Sequence, residues 1–177
     1  MEFLYKFCFG LTTASGIGLG LFVLLKNPRS RVNVTWGLLS FAVSVWALGC
    51  AVYLFDSTYN RALLVSRIAC YAAILVPTFF THFCLALLDK SLRESRTAIA
   101  GYVFSVGMAP FFLTPWFIPS VSPKLIFRFY AEPGPLFVLF TVQFFALVFY
   151  SHWLLFKHLR TQPPKRQEQI RYVLAAT

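Results

Sequence analysis

Charge is the scarcest commodity in this chain. Only 12% of its 177 residues are charged, and six acids face sixteen lysines and arginines. Soluble domains carry roughly twice that charged fraction. With 58% hydrophobic residues and a mean hydropathy of +0.68, a soluble core is excluded and a polytopic helical membrane protein is indicated. The acids are also absent from the places where a proton-coupled carrier would hold them. Glu2, Asp56 and Glu132 sit near span edges and no carboxylate falls within an apolar run. Metal and redox motifs are missing as well. The four cysteines (Cys8, Cys50, Cys70, Cys84) lie singly inside apolar runs, without CxxC or a Cys/His cluster, and read as small buried hydrophobes. No cofactor or metal is expected. The N-terminus has no basic leader and no A-x-A cleavage site, so residues 3–25 read as a retained span rather than a signal peptide.

What is present is a succession of apolar runs separated by short polar loops. They predict an all-α transmembrane bundle in one domain, residues 1–177. Five complete spans fall at about 3–25, 34–55, 62–88, 97–117 and 135–156, and a sixth helix begins near 168. Between them, residues 124–131 alternate with period two and predict a short β-like hairpin in the outer loop. Eleven of the sixteen basic residues fall in the first loop, the third loop and the tail; five (Lys6, Arg61, Arg67, Lys124, Arg128) fall on the other side. The positive-inside rule then places the N-terminus outside and the basic tail in the cytoplasm. Basic residues so placed mark orientation, and nucleic acid is not an expected partner.

The stretch 61–89 organises the rest. Between Arg61 and Asp89 lie 27 residues whose one charged member is Arg67. Arg67, Cys70, Tyr71, Thr78, Thr81 and His82 follow three-and-four spacing and share one helix face, which must turn toward protein or a wet cavity. Pro77 removes a backbone donor inside that region and predicts a kink or local opening. The candidate ligand-binding residues are Arg67, Tyr71 and His82 here, Trp46 in mid-span, and Gln143 in the fifth span. Each has a structural reading beside the functional one. Arg67 serves as an interfacial anchor paired with Asp56 or Glu132, Trp46 as packing, and His82 and Gln143 as hydrogen-bonded packing residues. In the first span Gly16 and Gly20 form a GxxxG, for which packing on a neighbouring span is preferred over homodimerisation.

Several residues, in order, match a known pattern. They are Asn33 opening the second span and Trp46 within it, Arg67-Ile68 with Tyr71, and Pro77 with His82-Phe83 in LVPTFFTHFCLALL. Tyr102, the AEPG turn and the stretch holding Gln167, Gln169, Arg171 and Tyr172 complete it. In these the chain resembles the seven-helix N-terminal input region of bacterial membrane histidine kinases. The resemblance implies an N-out bundle in the bacterial inner membrane that senses a small molecule, a lipid or a membrane state and relays it to a cytoplasmic transmitter. Kinase chemistry itself is not expected of this chain. Its histidines precede Phe83, Trp153 and Leu159 rather than an acid, and no Gly-rich nucleotide loop is present. A fragment, a truncated product and a stand-alone sensor subunit all fit. The competing class is a small transporter or assembly subunit, but no internal repeat supports it. A membrane enzyme is disfavoured because no nucleophile, base and orienting group come together.

Overall fold

The computed structural model describes residues 2–56 and 58–177; Met1, and Ser57 of the short turn between the second and third helices, lie outside the described residues. Among the described residues there are six α-helices and one two-stranded sheet: α1 (Glu2–Lys26), α2 (Arg31–Tyr53), α3 (Tyr59–Leu87), α4 (Arg96–Met108), β1 (Val121–Lys124), β2 (Phe127–Ala131), α5 (Phe137–His158) and α6 (Pro164–Ala176). By length and composition α1, α2, α3 and α5 (with its 3₁₀ extension, to Thr161) suffice to cross a membrane.

α3 is the centre. Fourteen of its 29 residues are buried, against two of 25 in α1. It packs on α2, α4, α5 and both strands. The helix is continuous through Pro77. Proline offers no N–H to the carbonyl one turn back, and Thr81 Oγ1 donates to the Pro77 carbonyl at 2.8 Å on the same turn. α2 lies between α1 and α3. Gly16 and Gly20 of the GxxxG face α2: a Cβ on Gly16 would collide with Ser44 Oγ, and one on Gly20 would stand 3.0 Å from Ser40 Cβ. The motif thus seats a neighbouring span, because only glycine lets the two helices approach this closely.

The fourth expected span differs most from its prediction. α4 covers 13 residues, and a 3₁₀ turn (Ala109–Phe111) follows. At ~1.5 Å per residue α4 is about 20 Å long, short of a ~30 Å hydrocarbon core. Pro110 lies inside the 3₁₀ turn and Pro115 in the turns that follow, so regular helix stops where apolar composition continues. The sixth helix starts earlier than expected, at Pro164 rather than near 168. The Pro163-Pro164 pair opens this helix, because the first helical position needs no N–H and favours the fixed proline φ.

The hairpin forms, with β1 beginning at Val121, ahead of the predicted 124. The strands are antiparallel, Val121 facing Ala131, Ser122 facing Tyr130 and Lys124 facing Phe127. It caps the ends of α1–α3 opposite the basic loops. Arg128 N donates to the Leu54 carbonyl at 3.1 Å, and Phe127 meets Tyr5 and Phe55 with ring centroids 5.2 and 5.6 Å away. The AEPG turn brings the chain back. Gly134 N donates to the Phe117 carbonyl at 2.8 Å, and a Cβ on Gly134 would lie 2.5–2.9 Å from the carbonyl oxygens of Pro115, Phe117 and Trp116.

Candidate functional site: a polar core and an apolar cavity around the middle of α3

Two features meet at mid-length in α3. The first is a polar core. Gln143 Nε2 of α5 donates to Thr78 Oγ1 at 3.0 Å; Thr78 Oγ1 lies 3.0 Å from Ser105 Oγ of α4; Ser105 Oγ donates to the Gly101 carbonyl at 2.9 Å. One turn along, Thr81 Oγ1 lies 2.9 Å from Ser151 Oγ, and Ser151 donates to the Leu147 carbonyl at 2.7 Å. Thr78, Thr81, Ser105 and Ser151 are fully buried, and Gln143 is 9% exposed. Buried hydroxyls cost free energy unless paired. Here they tie α3 to α4 and α5. Gln143 Oε1 alone among the buried side-chain polar atoms described accepts no hydrogen bond.

The second feature is a cavity of about 550 Å³ lined by residues of α1, α2, α3 and α5 and by Thr177. Its lining is mostly apolar: Leu19, Val43, Phe80 and Phe144, with Trp36 and Pro77. Thr12, Ser15, Ser40, His152 and Thr177 supply the polar groups. His152 Nδ1 lies 2.8 Å from the Val148 carbonyl and Nε2 lies 3.0 Å from Thr177 Oγ1, so both ring nitrogens have partners. Cavities of this size, apolar with few polar groups, are the usual form of a small-molecule site.

The five residues singled out from the sequence are distributed around these features, and none lines the cavity. Gln143 is a member of the polar core. Tyr71 joins its edge: its hydroxyl donates to the Ser105 carbonyl at 3.2 Å and its ring stacks on Phe112 at 4.8 Å. His82 Nδ1 lies 2.8 Å from Tyr102 Oη, half-buried on the α3–α4 side. Trp46 meets Phe9 edge-on at 6.4 Å, on the α1–α2 side, and is 38% exposed. Arg67 takes neither carboxylate foreseen for it. Asp56 instead holds Arg61 bidentately at 2.6 and 2.7 Å, being closer in the chain, and Glu132 accepts from Ser122. Arg67 Nε and an Nη both donate to the Ile118 carbonyl, at 3.0 and 2.9 Å, fastening the post-α4 segment to α3.

Ser105, Ser151, Trp36 and Ser40 were not foreseen as site residues. A signal existed for one: Gln143, Leu147 and Ser151 repeat every four residues, so they share a face of α5. Ser105 carries no such signal, since serine in a membrane helix also bonds its own backbone. Among the described residues no three of His, Cys, Asp and Glu converge as metal ligands.

Comparison with known families decides what this bundle is part of. The family model for the N-terminal 7TM region of histidine kinase matches residues 9–177. The chain belongs to that family. No curated protein and no solved structure gives a match. Residues 9–177 are therefore a membrane region of the histidine kinase sensor class, a non-catalytic input region. In this family setting the polar core and the cavity lie in the part of the protein upstream of any transmitter.

Proposed function

We propose that this histidine kinase 7TM region is a sensory input bundle whose stimulus is an apolar or amphiphilic small molecule taken up in the α1–α2–α3–α5 cavity. The observation that carries this reading is the position of Pro77. It stands in the cavity wall, and its neighbour Thr78 is the hub of the polar core. A ligand pressing on Val76, Pro77 and Phe80 therefore bears on the turn of α3 that lacks a backbone donor. A ligand shifts such a bundle only if it binds one packing arrangement better than another, and a locally weakened helix supplies the second arrangement. Output runs down α3. At its basic end Arg166 of α6 pairs with Asp89 at 2.5 Å and donates to the Leu87 carbonyl at 3.2 Å, and Ile170 is fully buried in the same cluster as Leu85 and Leu155.

The arrangement in the inner bacterial membrane is N-terminus out, with the basic tail cytoplasmic and five crossings. Leu88 and Ala98 share the basic-end cluster, whereas Ile118 meets Arg67 about 30 Å further along α3 at ~1.5 Å per residue, so the α4 segment runs the length of the bundle. α4 with its 3₁₀ turn reaches ~26 Å, and residues 112–117 complete the crossing.

Trp36 provides the test. In a variant retaining only that tryptophan (Trp46, Trp116 and Trp153 each →Phe), embedded in nanodiscs, a brominated fatty acid should quench fluorescence saturably. Val43→Phe, which fills the cavity, should abolish the saturable phase. Linear quenching, identical in both proteins, would show simple partitioning into lipid; the cavity would then be a seat for another helix and the sensing site would lie elsewhere.

A further inference from the structure

A second groove, separate from the sensing cavity, lies on the opposite side of the α1–α2 contact. It measures about 460 Å³ and is lined by glycine and apolar side chains. Gly16, Gly20 and Gly37 form its floor, and Leu24, Leu38 and Phe41 its walls. From Gly16 to Leu24 it runs about 12 Å along α1 at ~1.5 Å per residue.

The groove ends at a basic loop. Leu24 is two residues from Lys26, and Val34 is three residues from Arg31; Arg29 lies between. All three cations are exposed, and among the described residues their side chains make no ion pair or hydrogen bond. The loop is nevertheless held in shape. Asn33 Nδ2 donates to the Val23 and Asn27 carbonyls at 2.9 and 3.2 Å, and Ser30 Oγ accepts from Asn33 N. Acids of the neighbouring basic-side loop are engaged elsewhere: Asp89 with Arg166, and Glu94 with the Ser91 backbone.

We propose that this groove and loop form a site for an anionic glycerophospholipid of the leaflet on the basic-loop side. One acyl chain fills the glycine-floored slot and the phosphate lies among Lys26, Arg29 and Arg31. Charge complementarity selects the headgroup, since each basic residue near an anionic surface contributes a factor of about five in affinity. The slot holds the lipid longer than bulk lipid, because its chain meets fixed protein atoms of α1 and α2.

The test is native mass spectrometry of the whole chain released from nanodiscs of equal phosphatidylglycerol and phosphatidylcholine. Retained phosphatidylglycerol in clear excess over phosphatidylcholine is expected. Arg29→Gln/Arg31→Gln should lower that ratio on the order of tenfold. Leu38→Trp, which fills the slot, should remove most retained lipid of either kind. Leu21→Trp fills it from α1 and replaces Leu38→Trp where circular dichroism shows lost helicity. Equal retention of the two lipids, unchanged retention in the slot-filled protein, or a lipid-free dimer would each overturn the proposal. These outcomes are independent of the Trp36 titration, so either reading fails alone.

Discussion

Thr78 and Gln143 hydrogen-bond to each other and carry unequal weight. Thr78 Oγ1 accepts from Gln143 and also lies beside Ser105 Oγ, whereas Gln143 Oε1 has no donor among the described residues. Thr78→Val removes the hub and orphans the Gln143 amide as well. It should destabilise by about 1–3 kcal/mol, the cost of stranding a buried polar group. Gln143→Leu removes an atom already without a partner and leaves Thr78 its Ser105 contact. Its effect should stay within about 0.6 kcal/mol, the mean worth of an interhelical hydrogen bond in a membrane. Denaturation in mixed detergent micelles compares the two; equal losses would show that the network is not organised around Thr78. Arg67 gives a second case. Its fork puts two donors on one carbonyl, and Lys cannot reproduce that geometry. Arg67→Lys should speed backbone hydrogen exchange in residues 112–134 while leaving α1 and α2 unchanged. Neither role was readable from residue type: the sequence placed Arg67 beside two acids and could not rank them, because Asp56 is claimed by Arg61 only once the short turn closes.

At the scale of the element, the AEPG turn and α4 teach opposite lessons. Gly134 sits against three carbonyl oxygens, at 2.5–2.9 Å from where a Cβ would be. Backbone atoms cannot rotate away as a side chain end can. Gly134→Ala should therefore cost about 1–3 kcal/mol, as overpacking commonly does, and should loosen the hairpin before the helices. Protease sensitivity confined to residues 118–134 is the expected sign; global loss of helicity would show that this turn organises the whole bundle. α4 shows why apolar composition overstates helix length. Residues 97–117 are hydrophobic enough to suggest a span, yet Pro110 and Pro115 end regular helix at Met108. Hydropathy reports what tolerates lipid; backbone donors determine where a helix can run.

For the whole molecule, the two ends of α3 differ in what they join. One meets the hairpin and the other meets α6. Arg166→Ala removes the Asp89 pair and the bond to the Leu87 carbonyl. Exposed pairs contribute ~0–1 kcal/mol, and Ile170 remains buried, so stability should change little. Exchange in α6 should nonetheless rise relative to α3. If α6 exchange is unaltered, this contact does not couple the two helices. Orientation is checked separately. On intact cells Lys124→Cys should react with an impermeant maleimide, and Arg93→Cys only after permeabilisation. The reverse pattern would invert the proposed topology.

The sequence by itself determined the class of solvent, the positions of four of the five apolar runs that became long helices, the hairpin, and the family pattern. Each of these follows from local quantities: hydropathy over a span, a period of two, residues in fixed order. Tertiary structure decided what no local quantity holds. It chose which acid pairs with which arginine, turned the GxxxG inward on α2, shortened α4, and assembled the cavity from four helices. None of the five residues chosen for polarity lines that cavity, because a cavity is the space side chains fail to fill. That depends on helix crossings set by Gly16, Gly20 and their partners rather than on the chemistry of any one residue.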